Sequence, residues 1–458
     1  MYKIDFNQPC HVHFIGIGGI SMSGLAEILL QENFTISGSD SKESPLTLHL
    51  IKNGATVFYG QKAENIIDGI DVVVYTAAIH DDNPEFSEAK RQGLPMLSRA
   101  ELLGQLMTNY KIPIAISGTH GKTTTTSMMS HILLAGELDP TISVGGILKA
   151  IGGNIRVGKS QYFVTEACEY TNSFLHFNPK IGIILNIDAD HLDFFKDLDD
   201  IRDSFRKFAQ LLPADGSLII NNDIEDVASI TKDLRCNVIT FGSGSADYSF
   251  ADVEHDAHGN TSFTVVKRGT LAERIHLSVG GMHNVYNALS VIAAADLLSI
   301  SAGHIQNGLQ AFHGTDRRFQ YKGEVNGITI IDDYAHHPTE IEATLTTAAN
   351  YPHKDLWCIF QPHTYTRTKS LFVEFAQALS KAQHLIMADI YAARETDTLG
   401  VSSEQLALAA KELGCDAIYL PSFDAIEKFV LENCKEGDLL ITMGAGDVVN
   451  IGEHLLEK

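Results

Sequence analysis

The stretch Ile116–Thr126, ISGTHGKTTTT, decides how this chain is read. Its tail is a phosphate-binding loop entering a helix, yet its front has unusual spacing. The common loop is G-x-x-x-x-G-K-[ST], and Gly121-Lys122-Thr123 would need a glycine where Ile116 stands. The nearest glycine is Gly118. Local context still favours a phosphate site. Ile112–Ser117 reads as an apolar strand and Thr123–Leu134 as a helix, so consecutive N–H groups between them can point at one phosphate. Lys122 would neutralise the β/γ charge and the Thr123 hydroxyl would face Mg²⁺. A structural turn with a surface lysine is the alternative, but it leaves four consecutive β-branched threonines unexplained at a helix start.

Outward from that loop, 458 residues are too many for one ordinary core and suggest about three domains. With 44% hydrophobic and 20% charged residues, the composition is that of a soluble globular protein. No stretch approaches the ~20 apolar residues of a membrane span, and MYKIDFNQPCHVHF lacks the features of a secretory signal. Six scattered cysteines without C-x-x-C spacing fit free thiols and a cytoplasmic location. A formal charge of −23 argues against sequence-independent binding to nucleic acid, and without a span no membrane partner is expected. It leaves room for small phosphates held by backbone N–H groups.

Strand and helix patterns alternate in residues 1–108, where HVHFIGI, NFTISGS, ATVFYG and DVVVYTAAI are candidate strands and Ser21–Gln31 a helix. This predicts a Rossmann-like α/β domain. Residues 109–316 open with the loop described above and continue through QYFVTEA, KIGIILNID, GSLIINND and CNVITFG. Antiparallel hairpins follow from about Tyr248 to Gly280, then a long helix from about Met282 to Leu298. Residues 317–458 return to alternation, with strands GITIIDDYA, DLWCIFQPH, HLIMADI and DLLITMG, predicting a second Rossmann-like domain.

The loop GIGGISMSG carries Gly16, Gly18 and Gly19 of a dinucleotide fingerprint, with Ser21 at its third glycine position. Asp40, after Ser39, ends the next strand, where an acid would meet a ribose. A non-redox nucleotide, NAD(P) or a bare turn all fit this loop. Glu166 ends QYFVTEA and His191 follows KIGIILNID, both at the carboxyl edge of a parallel sheet. They suit Mg²⁺ or Mn²⁺, the imidazole favouring Mn²⁺ somewhat, or they are simply a strand-end carboxylate and a solvated histidine. Asp188, Asp190 and Asp193 around His191 read as solvated or capping. Asn284 in GGMHNVYNALS is either a purine contact or an N-cap. In TDRRFQ, Arg317 or Arg318 either reaches a phosphate or belongs to a charged hinge. The clusters IIDDYAHHPTE and FQPHTYTRTK, with Asp333, Tyr334, His336, His363 and Arg367, are costly to keep at strand ends for structure alone. Arg367 offers a fork for a carboxylate or phosphate.

GTHGKTT, the Glu166 strand end, ADHLD, GMHNVYNAL, RRFQ, DDYAHHPTEI and QPHTYTRT stand in the order seen in the Mur ligases, and the chain resembles that family over essentially its whole length. The family's loop is G-T-x-G-K-[TS], which places glycine where Gly118 stands, so the resemblance implies an intact ATP site. It further implies that ATP phosphorylates the lactyl carboxylate of UDP-N-acetylmuramate, after which L-alanine displaces phosphate. Matched positions are the ATP loop Gly118, Thr119, His120, Gly121, Lys122, Thr123 and Thr124, and the metal ligands Thr123, Glu166 and His191. Nucleotide contacts match Asn284, Arg318 and Asp333. Tyr334, His336, His363 and Arg367 match the amino-acid site, and Lys122, Glu166, His191, His336 and Arg367 the catalytic set. Gly16, Gly18, Gly19, Ser21, Ser39 and Asp40 would hold the UDP end. A monomer or homodimer is expected.

Two departures stand out. The lysine that later-acting members modify is replaced by Phe205, with Lys207 on another helical face, and Cys168 stands where many relatives have Asp. A recycling relative that attaches a tripeptide to the same acceptor is the near alternative. It typically carries FDH and EPRSNT where this chain has ADH (Ala189–His191) and QPHTYT. An NAD(P) oxidoreductase is disfavoured by Ser21 and by an unused second loop. A non-catalytic nucleotide switch is disfavoured by the third-domain clusters.

Overall fold

The computed structural model describes residues 2–76, 79–192, 194–256, 259–393, 395–397 and 399–457. The predicted acid Asp193 and the end of DVVVYTAAI at residues 77 and 78 lie outside them. Three sheets with parallel cores carry the chain, as the alternating pattern predicts. In the first, the order is Thr56–Tyr59, Thr35–Asp40, His11–Ile15, Val72–Tyr75, Met96–Ser98, all parallel. The order reverses direction beside His11–Ile15, so the crevice at that strand's carboxyl end is the place for a ligand. Gly16 follows that strand and Asp40 ends its neighbour.

The central sheet sets Ile112–Ser117 between Tyr162–Ala167 and Ile181–Ile184 in parallel register, with Ile116 opposite Glu166 and Ser117 opposite Ile184. Four of the six residues in Ile112–Ser117 are Ile or Ala, and Ile114, Ala115 and Ile116 are fully buried. Such continuous apolar runs are what a parallel strand covered on both faces requires. Thr141–Leu148 joins Tyr162–Ala167 in parallel, with Gly153–Arg156 antiparallel at its side. Tyr248–His255, Thr261–Lys267 and Thr270–His276 form the expected antiparallel meander. The helix Met282–Leu297 follows.

In the third sheet Ile328–Asp333, Leu439–Met443, Leu356–Phe360, His384–Met387 and Asp416–Tyr419 are parallel, and Gln320–Val325 pairs antiparallel at the edge. Asp333 and Phe360 both lie opposite Met443. The clusters that follow these strands therefore emerge at one edge. Packing groups the chain into two compact units where the sequence suggests three domains. One comprises Met1–Ile187, Asp199–Thr240 and Ala293–Ile300, the other Asp188–Leu198, Phe241–Ile292 and Ser301–Lys458. Close packing explains the grouping. Gly104 leaves no room for a Cβ, which would stand 1.9 Å from the His176 carbonyl, so the helix Arg99–Met107 lies directly on the central domain's Tyr170–His176 turn. In the second unit a Cβ at Gly281 would fall 2.6 Å from Thr347 Oγ1.

A Gly104→Ala variant is expected to lose roughly 1–3 kcal/mol, because a methyl driven into a backbone carbonyl forces the helix away. Urea unfolding monitored by circular dichroism would measure it, and an unchanged midpoint would show that the two surfaces separate at no cost.

Candidate active site

Within the first unit, Gly118 at φ 144° and Gly121 at φ 83° turn the chain from Ile112–Ser117 into the helix Lys122–Ala135. Both backbone angles favour glycine. A Cβ on Gly118 would come within 2.9 Å of Leu185 Cβ. Asn186, just beyond the neighbouring strand Ile181–Ile184, braces the loop, accepting the His120 N–H at 2.7 Å and donating to the His120 carbonyl at 3.1 Å. Lys122 Nζ donates to the carbonyls of Gly118 and Thr119 at 2.5 and 3.0 Å and to Glu169 Oε2 at 3.0 Å. Burial opposes the lysine's charge, but Glu169 outweighs it and holds the ammonium protonated well above its ordinary range. A permanent cation thus sits on the carbonyls of the loop, at the start of the helix Lys122–Ala135. Thr123 and Thr124 occupy the first turn half-buried, while Thr125 and Thr126 are fully buried.

Glu166 Oε1 accepts the Gly145 N–H at 2.5 Å. A Cβ on Gly145 would lie 2.8 Å from Glu166 Oε2, and one on Gly146 would lie 3.3 Å from Thr123 Cγ2. The glycine pair thereby leaves a small cradle bordered by the Glu166 carboxylate and the Thr123 methyl. The carboxylate is a hard oxygen donor of the kind a magnesium ion takes. At the first loop, Asp40 Oδ2 accepts the Gly18 N–H at 2.8 Å, so the acid shapes the loop itself. Ser39 is fully buried and donates to Glu85 Oε2 at 2.5 Å. It braces the floor of the crevice and presents no hydroxyl to it.

The second unit gathers the remaining candidates into one polar chain. His191 takes a left-handed backbone, φ 53°, and its N–H donates to Asp190 Oδ1 at 2.7 Å. Asp190 was expected to be solvated or capping; it is buried, and Arg367 donates to its Oδ1 from Nη2 at 3.1 Å and from Nε at 3.3 Å. Burial raises the Asp190 pKa, but Arg367 and His191 outweigh it and keep the carboxyl far below the usual range. Arg367 Nη1 lies 3.3 Å from His363 Nδ1, and the His363 and His336 rings are 6.0 Å apart. The paired histidines divide their work. His337 caps the helix Pro338–Ala349 and reaches the Ala189 carbonyl at 3.1 Å. His336 Nδ1 meets the Tyr334 carbonyl at 3.0 Å and Glu340 Oε2 at 3.3 Å.

The two arginines of TDRRFQ also separate. Arg317 is tied to Asp332 at 3.1 Å and to the Gly444 carbonyl at 2.7 Å, whereas Arg318 pairs with Glu340 at 3.4 Å. The Tyr334 ring lies 4.9 and 5.4 Å from the two guanidinium carbons. Asp333 accepts the Phe319 N–H at 2.8 Å and the Ala335 N–H at 2.7 Å, and burial pushes its pKa up to about 6. Asn284 is inside the first turn of its helix and does not cap it. Its Nδ2 donates to the Gly280 carbonyl at 2.7 Å. Glu340 and Glu169 carry much of the local charge balance, and neither drew a role from the sequence.

The chain is 61% identical over its full length to the UDP-N-acetylmuramate--L-alanine ligase of Lachnospira eligens, covering 100% of both proteins. It belongs to the Mur ligase family. Residues 11–111, 116–295 and 317–446 match the family models described as Mur ligase family, catalytic domain; Mur ligase middle domain; and Mur ligase, glutamate ligase domain. Among solved structures, the UDP-N-acetylmuramate-alanine ligase of Thermotoga maritima superposes with a TM-score of 0.81 at 30% identity, over 98% of each chain. A murein peptide ligase from Psychrobacter arcticus gives a TM-score of 0.70 at 26% identity, again over 98% of each. For this Mur ligase, Phe205 is fully buried, its ring edge-on to Phe174 at 5.4 Å. Lys207 pairs with Asp203 at 2.7 Å. The position of the modified lysine is therefore part of a hydrophobic core.

His336 generates a pH prediction. Burial lowers its pKa from 6.5 to about 4, overcoming the raising pull of Glu340, with smaller lowering contributions from Arg367 and Arg318. A depressed value gives stability that is present above 6.5 and lost as pH falls through 4. His336→Gln should lose less stability than the parent protein between pH 6.5 and 4, by up to about 3 kcal/mol. Matched urea titrations at the two pH values test this, and parallel losses would refute it.

Proposed function

We propose that this Mur ligase joins L-alanine to the lactyl carboxylate of UDP-N-acetylmuramate, converting ATP to ADP and phosphate and yielding UDP-N-acetylmuramoyl-L-alanine for peptidoglycan precursors. The observation that carries this reading is the end-to-end 61% identity with an alanine-adding ligase. Residues 1–108 are assigned the sugar nucleotide through Gly16, Gly18, Gly19, Ser21 and Asp40, with Ser39 as buried support. Residues 109–316 are assigned the ATP phosphates through Gly118–Thr124. Residues 317–458 are assigned the amino acid through Tyr334, His336, His363 and Arg367, and add Arg318 and Asp333 to Asn284 as nucleotide contacts.

Lys122 would stabilise charge building on the transferring phosphoryl group as the lactyl carboxylate attacks, a step that depends on positioning and neutralisation. Thr123 and Glu166 would hold Mg²⁺, which would supply charge neutralisation at the phosphates. The L-alanine amine then attacks the acyl carbon, and the C–O bond to phosphate breaks with release of inorganic phosphate. Arg367 provides a fork for the L-alanine carboxylate. No helix among the described residues is long and apolar enough to cross a membrane, and the six cysteines are free thiols, which agrees with a cytoplasmic enzyme.

The deciding experiment measures phosphate release from ATP and Mg²⁺ with UDP-N-acetylmuramate, adding L-alanine or the tripeptide L-Ala-γ-D-Glu-meso-diaminopimelate in parallel. Release that requires the sugar nucleotide and L-alanine together is expected. A response to tripeptide alone would assign the recycling reaction instead. Lys122→Ala should reduce turnover roughly a thousandfold or more while UDP-N-acetylmuramate binding stays within a few-fold. Calorimetry showing that this binding vanishes would overturn the assignment of the sugar nucleotide to residues 1–108.

A further inference from the structure

Arg99 follows the strand Met96–Ser98 directly, at the carboxyl edge of the first sheet and on the same edge as the Gly16 turn and Asp40. Its Nη1 donates to Ser21 Oγ at 3.0 Å. Among the described residues this is its only side-chain hydrogen bond, and it forms no ion pair. Burial pulls its pKa down, against weaker support from Cys168 and Glu166. A partly buried guanidinium with five donors and a single hydroxyl partner is a cost to the folded chain unless an anion completes it. Ser21 is also the residue that spoils the third glycine of the dinucleotide fingerprint. Its hydroxyl ties the arginine to the first turn of the helix Ile20–Gln31, whose N-cap Gly19 has no side-chain cap.

We propose that Arg99 is a binding residue for the diphosphate of the sugar nucleotide, aimed by Ser21 at the N-terminus of the first helix. The inference rests on the sugar-nucleotide assignment above. In redox Rossmann domains, backbone N–H groups and a third glycine let pyrophosphate lie close to the helix. Here a serine at that position is compatible because it recruits a side-chain cation from the start of the helix Arg99–Met107. The planar fork of arginine supplies two parallel donors to phosphate oxygens, which a lysine cannot reproduce.

The test is calorimetric titration of the full-length protein with UDP, UDP-N-acetylglucosamine and UDP-N-acetylmuramate, alongside Arg99→Met and Arg99→Lys. The first two ligands carry the diphosphate and lack the lactyl carboxylate. Arg99→Met should weaken all three by a similar factor, about 10- to 100-fold, with Arg99→Lys in between. Thermal unfolding of the ligand-free Met variant should occur at the same or a higher temperature, since the unpaired charge has been removed. Unchanged affinities would overturn the proposal, and so would a loss confined to UDP-N-acetylmuramate, which would assign Arg99 to the lactyl carboxylate. A lower unfolding temperature would make the arginine a structural prop. Failure of the unaltered protein to bind any UDP compound would instead remove the sugar-nucleotide assignment itself.

Discussion

The parallel pairing of Ile112–Ser117 between Tyr162–Ala167 and Ile181–Ile184 is the constraint on which the Gly118–Lys122 loop and its surroundings depend. Because all three strands run the same way, their carboxyl ends share one edge. The loop Gly118–Lys122, the carboxylate of Glu166 and the brace Asn186 leave the sheet there together. None of them needs the others as sequence neighbours. The register of hydrogen bonds along buried Ile, Val and Ala residues sets their spacing. An error of one residue would turn Glu166 to the opposite face, because side chains alternate along a strand.

The same economy recurs in the third sheet, with a different electrostatic solution. There the strand ends carry charges of both signs, and they are paired with charges of the chain itself: Arg317 with Asp332, Arg318 with Glu340, and Arg367 with Asp190. Burying such charges singly would be expensive, and pairing makes the cluster affordable. Neutral His336 and His363 lie among them, their pKa values lowered chiefly by burial. The site therefore offers both fixed charges and uncharged nitrogen acceptors at neutral pH.

Much of this was legible in the sequence because long apolar runs become buried parallel strands and motif residues stand at their ends. Ile112–Ser117 and the helix Met282–Leu297 fall where the pattern puts them. Met96–Ser98 has only three residues, too few to show a period, and Gln320–Val325 is a polar edge strand reading QYKGEV. Asp416–Tyr419 and Thr141–Leu148 were likewise masked, the latter by its own Gly145-Gly146. At the site, residue types and their edges could be read, but partners could not. Asp190 and Arg367 are 177 positions apart, and only the folded chain reveals that one neutralises the other. Ser39, next to Asp40 in sequence, faces the interior because neighbours on a strand point to opposite sides.

Asp190 deserves a thermodynamic reading. One carboxylate faces Arg367 on one side and the His191 ring at 3.8 Å on the other. An anion that draws the guanidinium away leaves Asp190 with more negative charge to offer its histidine, which strengthens that imidazole as a seat for a cation. Reciprocity then requires that a cation at His191 alter the affinity for an anion at Arg367 by the same factor. Two ligands of opposite charge that never touch would report on each other through a single shared counter-ion.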